Sequence, residues 1–138
     1  MKVVYVETSA VLTWLLSQAE ADEVRQRIDA AETVVTSALT LTETERALVR
    51  AESAGLIRAG DGQRLRGLIH RAWSGWMTMA VTEEVLRRAA GAFPVEPVRT
   101  LDAIHLATAL TFLKAFADLR LFSFDRRVLQ NAEALGIG

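Results

Sequence analysis

Four carboxylates that are distant in sequence have settings that suggest chemistry: Glu7, Glu43, Asp102 and Asp125. Glu7 and Asp125 each follow a short apolar run, whereas Glu43 and Asp102 lie near the start of helical stretches. Side chains at the carboxyl ends of strands and in first helical turns meet in the crevice of an open α/β sheet. Four carboxylates there would repel one another unless a hard divalent cation offset their charge. The pattern therefore predicts metal-assisted chemistry on a phosphate ester.

The elements that would position these acids alternate along the chain. Short β-branched and aromatic runs bounded by polar residues predict strands at 2–6, 33–36, 76–81 and 119–124. Helices are expected at 8–16, 20–30, 38–55, 61–73, from 82 onwards, 101–114 and 126–135. This order predicts an α/β fold in one domain, residues 1–138, with helices on both faces of a mainly parallel sheet of four to five strands.

Local signals also predict how several helices begin. Thr8 and Ser9 offer N-cap oxygens to the first helix, and Thr100 offers one to the helix that carries Asp102. Asp61 is expected to open the fourth helix. The helix after Thr100 is apolar on nearly every side, so we expect it to be buried.

Charge and composition narrow the class of protein. The formal net charge of −1 excludes a wholly basic nucleic-acid binder, but arginine outnumbers lysine by fourteen to two. The stretch from position 46 to position 71 contains six arginines and only two acidic residues, Glu52 and Asp61, so its formal charge is +4. This stretch is either a phosphate-contacting surface or a solvated helical face, and the sequence leaves both open.

Features that the sequence lacks lead to an expectation about the cellular compartment. Cysteine is absent, so no disulfide or thiolate metal site is expected and a reducing environment fits. The chain begins without a signal-peptide pattern, and its apolar stretches are too short for a membrane span. We expect a soluble, cytoplasmic protein.

The four acids lie in segments that resemble the motifs of PIN-domain ribonucleases, most closely the toxins of bacterial VapBC-type toxin–antitoxin modules. The four segments are Val3 to Leu12, Thr36 to Glu43, Leu101 to Ala109 and Phe122 to Leu129. The resemblance implies an endoribonuclease that uses Mg²⁺ or Mn²⁺ held by Glu7, Glu43, Asp102 and Asp125. It also implies an RNA substrate, a homodimer and a cognate antitoxin that covers the cleft, with the early helix from Val11 to Leu16 as a candidate contact.

Other residues are expected to support such a site. Thr8, Ser9 and Ser123 are candidate hydrogen-bond donors that would orient the carboxylates. His105 shares a helical face with Asp102, and it is either a metal ligand or, as we favour, a hydrogen-bonded histidine in a buried helix. The arginines expected to contact RNA are Arg46, Arg50, Arg99 and Arg126. The tryptophans, Trp14, Trp73 and Trp76, are expected in the core or at an interface rather than stacked on bases.

One residue departs from the family pattern. The first acid is normally aspartate, and here Glu7 carries an extra methylene that moves its carboxylate outward by about 1.5 Å. Because Mg²⁺ is strict about geometry, a second possibility is a PIN-like RNA- or protein-binding module with a weakened metal site. A structure-specific DNA nuclease is a third, less favoured possibility in a chain of 138 residues.

Overall fold

A strand that is buried at every position is the centre of the fold. The computed structural model describes residues 2–16 and 19–138. Strand β1 (Val3–Val6) pairs in parallel with β2 (Thr33–Ser37) on one side and with β4 (Arg120–Phe122) on the other. Strand β3 (Met77–Met79) adds to β2, so the order is β3-β2-β1-β4 and every pairing is parallel.

Helices connect the strands and cover both faces of the sheet. In the described ranges they are α1 (Thr8–Leu15), α2 (Ala21–Ala30), α3 (Ala38–Ser53), α4 (Ala59–Trp73), α5 (Glu83–Ala89), α6 (Thr100–Leu113) and α7 (Arg126–Ala134). The predicted α/β class, with a parallel sheet of four strands between helices, is confirmed. The last two predicted strands are shorter than expected, because only their central residues pair with a neighbour.

Alternation along β1 divides the core into two layers. Val3 and Tyr5 point to the layer formed with α6 and α7, whereas Val4 and Val6 point to the layer formed with α1 to α4. All four residues are at most 1% exposed. Because side chains alternate across a strand, a single buried strand can hold both helical layers in place.

The helix that carries Asp102 is the most buried in the described chain. Every residue from Ala103 to Ala109 in α6 is buried, as its apolar sequence predicted. Among the described residues, no helix combines the length and apolar character that a bilayer span requires.

Several local expectations were wrong. The N-cap of α6 is Arg99 and Thr100 is its first residue, while α4 begins at Ala59, two residues before Asp61. Asp61 instead accepts a hydrogen bond from the backbone N–H of Arg58, at 3.3 Å, from inside the first turn. An acid in the first turn stabilises the start of a helix as an acid at the N-cap does, so the sequence indicated a helix start near Asp61 but not its exact residue.

The early segment from Val11 to Leu16 is only partly covered within the chain. Val11 and Leu15 are buried in the core layer on one face of β1, at 0% and 5% exposure, whereas the other large apolar side chains of this segment, Leu12, Trp14 and Leu16, are half-buried. The three tryptophans, Trp14, Trp73 and Trp76, are partly buried and pack against the same layer, in agreement with the prediction of core or interface positions.

Candidate active site

The carboxyl ends of three adjacent strands bring the candidate residues to one edge of the sheet. Strand β1 lies between β2 and β4, and the chain leaves these strands at Glu7, Ser37 and Ser123. A crevice outside the carboxyl ends, at the point where strand order reverses, is the usual ligand site of an open α/β sheet. The fold therefore brings the four acids to the edge of the sheet at which open α/β folds bind ligands.

Glu7 is buried and held by the first turn of α1. It is 5% exposed and is the N-cap residue of this helix. Its Oε2 accepts hydrogen bonds from the Ser9 N–H at 3.0 Å, from the Ser9 hydroxyl, and from the Ser123 hydroxyl at 2.7 Å. The expectation that Thr8 or Ser9 caps this helix was wrong, because the longer Glu7 side chain reaches the free N–H itself.

Asp125 is connected to Glu7 through Ser123. The Ser123 hydroxyl accepts a hydrogen bond from the backbone N–H of Asp125 at 2.9 Å while it donates to Glu7. Asp125 is the N-cap of α7, and its Oδ1 accepts from the N–H groups of Arg127 and Val128 at 2.9 and 3.2 Å. The first and last acids of the sequence thus belong to one hydrogen-bonded unit.

Glu43 is held by two donors from other elements. Its Oε1 lies 2.6 Å from the Thr8 hydroxyl and 2.6 Å from Nε2 of His105. Burial by itself would raise the pKa of Glu43, but the hydrogen bonds from His105 and Thr8, aided by nearby positive charge that includes Arg50, lower that pKa overall. Glu43 is therefore ionised at neutral pH.

Asp102 lacks such support. It accepts no hydrogen bond within the described part of the chain, and it is partly buried in the first turn of α6. Its pKa is raised to about 6, first by burial and then by the negative charges of Asp125, Glu7 and Glu43, against a lowering effect of His105. Asp102 therefore experiences the charge of all three other acids.

Two clefts flank these acids. A cleft of about 430 Å³ is lined by Pro97, Val98, Arg99, Asp102, Asp125 and Arg127. A second, of about 360 Å³, is lined by Leu39, Thr42, Glu43, Arg46, Arg50 and Leu101. Leu101 and Asp102 are consecutive residues, so both clefts border the first turn of α6, and each cleft combines acidic with basic side chains.

The donor set suits a hard divalent cation. In Glu7, Glu43 and Asp125, every hydrogen bond within the described residues falls on one carboxylate oxygen and leaves the second without one. Carboxylate oxygens are the ligands that Mg²⁺ and Mn²⁺ prefer. In the described ranges, however, no three Asp, Glu, His or Cys side chains are arranged to hold a metal ion. Metal ligation by these four acids stays a prediction.

The structure also places residues that the sequence left open or did not single out. His105 is fully buried and both of its ring nitrogens contact protein groups, which fits the favoured interpretation of a hydrogen-bonded histidine. Arg127, not Arg126, lines the larger cleft, where its Nη1 donates to the Pro97 carbonyl at 2.9 Å. Arg126 and Arg127 are adjacent helical residues that point in different directions, and only the packing of α7 decides which of them lines the cleft.

Comparison with known proteins shows the family to which the chain belongs. The sequence model of the PIN domain matches residues 4–134, which is nearly the whole chain. The chain belongs to the PIN domain family. Two relatives from Mycobacterium tuberculosis are named as ribonucleases. VapC46 is 34% identical over 99% of this chain and 95% of its own, and VapC35 is 31% identical over 97% and 93%.

Solved structures show the same PIN fold. The crystal structure of M. tuberculosis VapC20, a toxin that cleaves the sarcin–ricin loop, matches with a TM-score of 0.68 and 16% identity over 98% of this chain and 96% of that one. A chain from a Klebsiella pneumoniae toxin–antitoxin complex matches with a TM-score of 0.63 and 18% identity, over 91% and 89%. At these identities the likeness concerns the fold alone.

The isolated carboxylate of Asp102 leads to a stability prediction. Because its pKa is raised in the folded state, the contribution of Asp102 to the stability of the metal-free protein should fall as the pH rises from about 4 to about 6 and stay level above that range. Asp102→Asn removes the repulsion. It should raise the free energy of unfolding at pH 7.5 by about 1–2 kcal/mol once solvent screening is allowed for.

Urea denaturation in EDTA at pH 7.5 and pH 4 measures this effect. At pH 4 the wild-type carboxyl is largely protonated, so the gain should be much smaller there, and the same variant serves as its own control. An equal gain at both pH values would show that charge repulsion is not its source.

Proposed function

We propose that this PIN domain is a Mg²⁺- or Mn²⁺-dependent endoribonuclease and the toxin of a bacterial toxin–antitoxin module. The observation that carries the proposal is the set of four acids, three of them with one oxygen anchored and the other unengaged, at the switch point of the sheet. The ribonuclease names of relatives at 31–34% identity over nearly the full chain support the same activity.

In this proposal the protein holds the cation at a fixed position relative to the scissile phosphate of the RNA. Glu7, Glu43, Asp102 and Asp125 would hold the cation, which when bound supplies Lewis-acid chemistry that activates water and offsets charge on the scissile phosphate. Thr8, Ser9 and Ser123 would keep the carboxylates oriented through the hydrogen bonds described above. Asp102 would gain most from the cation, since the repulsion that raises its pKa would be relieved.

The arginines of the two clefts would position the RNA backbone. Arg46 and Arg50 share the smaller cleft with Glu43, and Arg99 and Arg127 share the larger one with Asp102 and Asp125. Arginine forks bind phosphate oxygens in two-point contacts, and such contacts set register without reading sequence. An RNA strand that crossed the start of α6 would therefore contact arginines on both sides of the acids.

We also propose binding partners and a cellular location for this protein. The resemblance to VapBC-type toxins supports a cognate antitoxin and a homodimer. It also supports action in the cytoplasm, where RNA targets are present. The absence of cysteine from the sequence fits a reducing compartment.

One observation favours a second function. Glu7 is almost entirely buried, and its Oε2 is committed to Ser9 and Ser123. A glutamate used in this way could have a purely structural role, in which case the domain would be an RNA- or protein-binding module with a weakened metal site.

Cleavage of a mixed RNA pool tests the proposed function. The wild-type protein should cleave with Mn²⁺ or Mg²⁺ and stop in EDTA, and Asp102→Asn should lower the rate by at least about a hundredfold while remaining folded. Asp29→Asn, an exposed change on α2 outside both clefts, is the matched control and should cleave normally. Undiminished cleavage by Asp102→Asn would place the chemistry elsewhere.

Two neighbouring arginines test the RNA path. Arg127→Gln should lower kcat/KM by about tenfold, mainly through a higher KM, because it removes a phosphate contact in the larger cleft. Arg126→Gln removes the same charge from the next residue, which is exposed and outside the lining of that cleft, and it should have a much smaller effect. Equal losses would indicate general electrostatic attraction instead of a defined contact.

Glu7→Asp separates the enzyme from the binding module. If Glu7 is a working but imperfect ligand, the shorter side chain should tighten Mn²⁺ binding and raise the cleavage rate, and Mn²⁺ should support the wild type better than Mg²⁺. Calorimetric titration and the cleavage assay at matched Mn²⁺ measure both. Metal-independent RNA binding with no cleavage by either protein would favour the binding module.

A further inference from the structure

A buried chain of hydrogen bonds extends from the centre of the sheet to Glu43. His105 and Tyr5 are both 0% exposed, so neither can touch an RNA substrate. The Tyr5 hydroxyl lies 2.8 Å from Nδ1 of His105, and the opposite ring nitrogen, Nε2, lies 2.6 Å from Oε1 of Glu43. The two nitrogens of one imidazole thus connect the central strand with a candidate metal-binding acid.

The direction of the bond to Glu43 follows from its partners. An ionised carboxylate can only accept hydrogen bonds, so Nε2 of His105 must carry the proton that lies between them. The Thr8 hydroxyl donates to the same Oε1 at 2.6 Å. Two donors therefore hold one oxygen of Glu43, and within the described residues Oε2 is left without a hydrogen bond.

The surroundings of His105 fix its ring. Tyr5 meets it edge to face, with ring centroids 6.1 Å apart and planes at 77°. Its neighbours on α6, Leu106 and Ala107, are themselves fully buried. A rotation of the ring would break the contact with Tyr5 and that with Glu43 together. Because Asp102 lies one turn earlier on α6, the same helix carries one acid and the donor that holds another.

We propose that His105 is a positioning residue, which directs Oε2 of Glu43 toward the cleft, and that Tyr5 fixes the His105 ring for this purpose. The inference rests on the proposed function, since it takes Glu43 to be one of the carboxylates that hold the cation. A positioning role of this kind requires a hydrogen-bond donor at the position of Nε2, not merely a side chain that fills the space.

Three variants and one control test the proposal by Mn²⁺ titration calorimetry and RNA cleavage. His105→Leu should weaken Mn²⁺ binding by about tenfold or more, with cleavage partly recovered at excess Mn²⁺. His105→Gln keeps an N–H donor and should recover most of the affinity, and Tyr5→Phe should give an intermediate loss. Ile69→Val lowers stability from the other core layer and should leave Mn²⁺ affinity unchanged.

A second measurement does not need the metal. In ¹⁵N-edited NMR of the metal-free protein, His105 should show a protonated Nε2 with a downfield proton, and Glu43→Gln should shift that proton upfield. This readout still applies if His105→Leu fails to fold.

The outcomes separate this inference from the proposed function. Wild-type Mn²⁺ affinity in His105→Leu, or a loss in His105→Gln as large as in His105→Leu, would overturn the positioning role while the nuclease stands. If the wild type neither binds Mn²⁺ nor cleaves RNA, the proposed function fails, and NMR alone decides whether His105 orients Glu43. An unprotonated Nε2, or a proton unaffected by Glu43→Gln, would overturn the inference in either case.

Discussion

The mutual repulsion of carboxylates at one edge of the sheet is the constraint on which the rest of the site depends. Burial of ionised carboxylates in a crevice raises the free energy of the folded state unless each carboxylate has hydrogen-bond donors or a cation beside it. Glu7, Glu43 and Asp125 each place one oxygen on protein donors, and Asp102 has none within the described chain. The cost is concentrated on Asp102, whose pKa is raised to about 6.

Helix starts supply much of this compensation. Glu7 caps α1 and Asp125 caps α7, so backbone N–H groups that would otherwise lack partners offset the two charges. The same bonds that begin these helices also orient the acids, and Ser123 joins both residues. The stability of the fold and the proposed chemistry therefore depend on the same contacts. A substitution that preserves the shape of the side chain, such as Asp to Asn, is needed to separate an effect on chemistry from an effect on folding.

Arginine compensates for the acids at longer range. The net charge is only −1, yet each cleft beside the acids contains two arginines. Neither pair neutralises Asp102 by a direct ion pair in the described residues, which leaves their guanidinium groups near the acids and suited to phosphate. An acidic centre between basic clefts can hold a cation and an RNA backbone together, whereas a uniformly charged surface would repel one of them.

The sequence by itself determined the α/β class and the burial of α6, and it selected the four candidate acids, because strand and helix periodicity and the ends of these elements are local properties. The sequence-based prediction of the α1 cap was wrong, because the three-dimensional path of the side chain decides which residue accepts a hydrogen bond from the first backbone N–H groups, and that residue is Glu7. Only the tertiary structure decided that His105 joins Tyr5 to Glu43 and that Arg127 lines the cleft. These contacts join residues up to 100 positions apart, and their geometry depends on how α6 and α7 pack on the sheet.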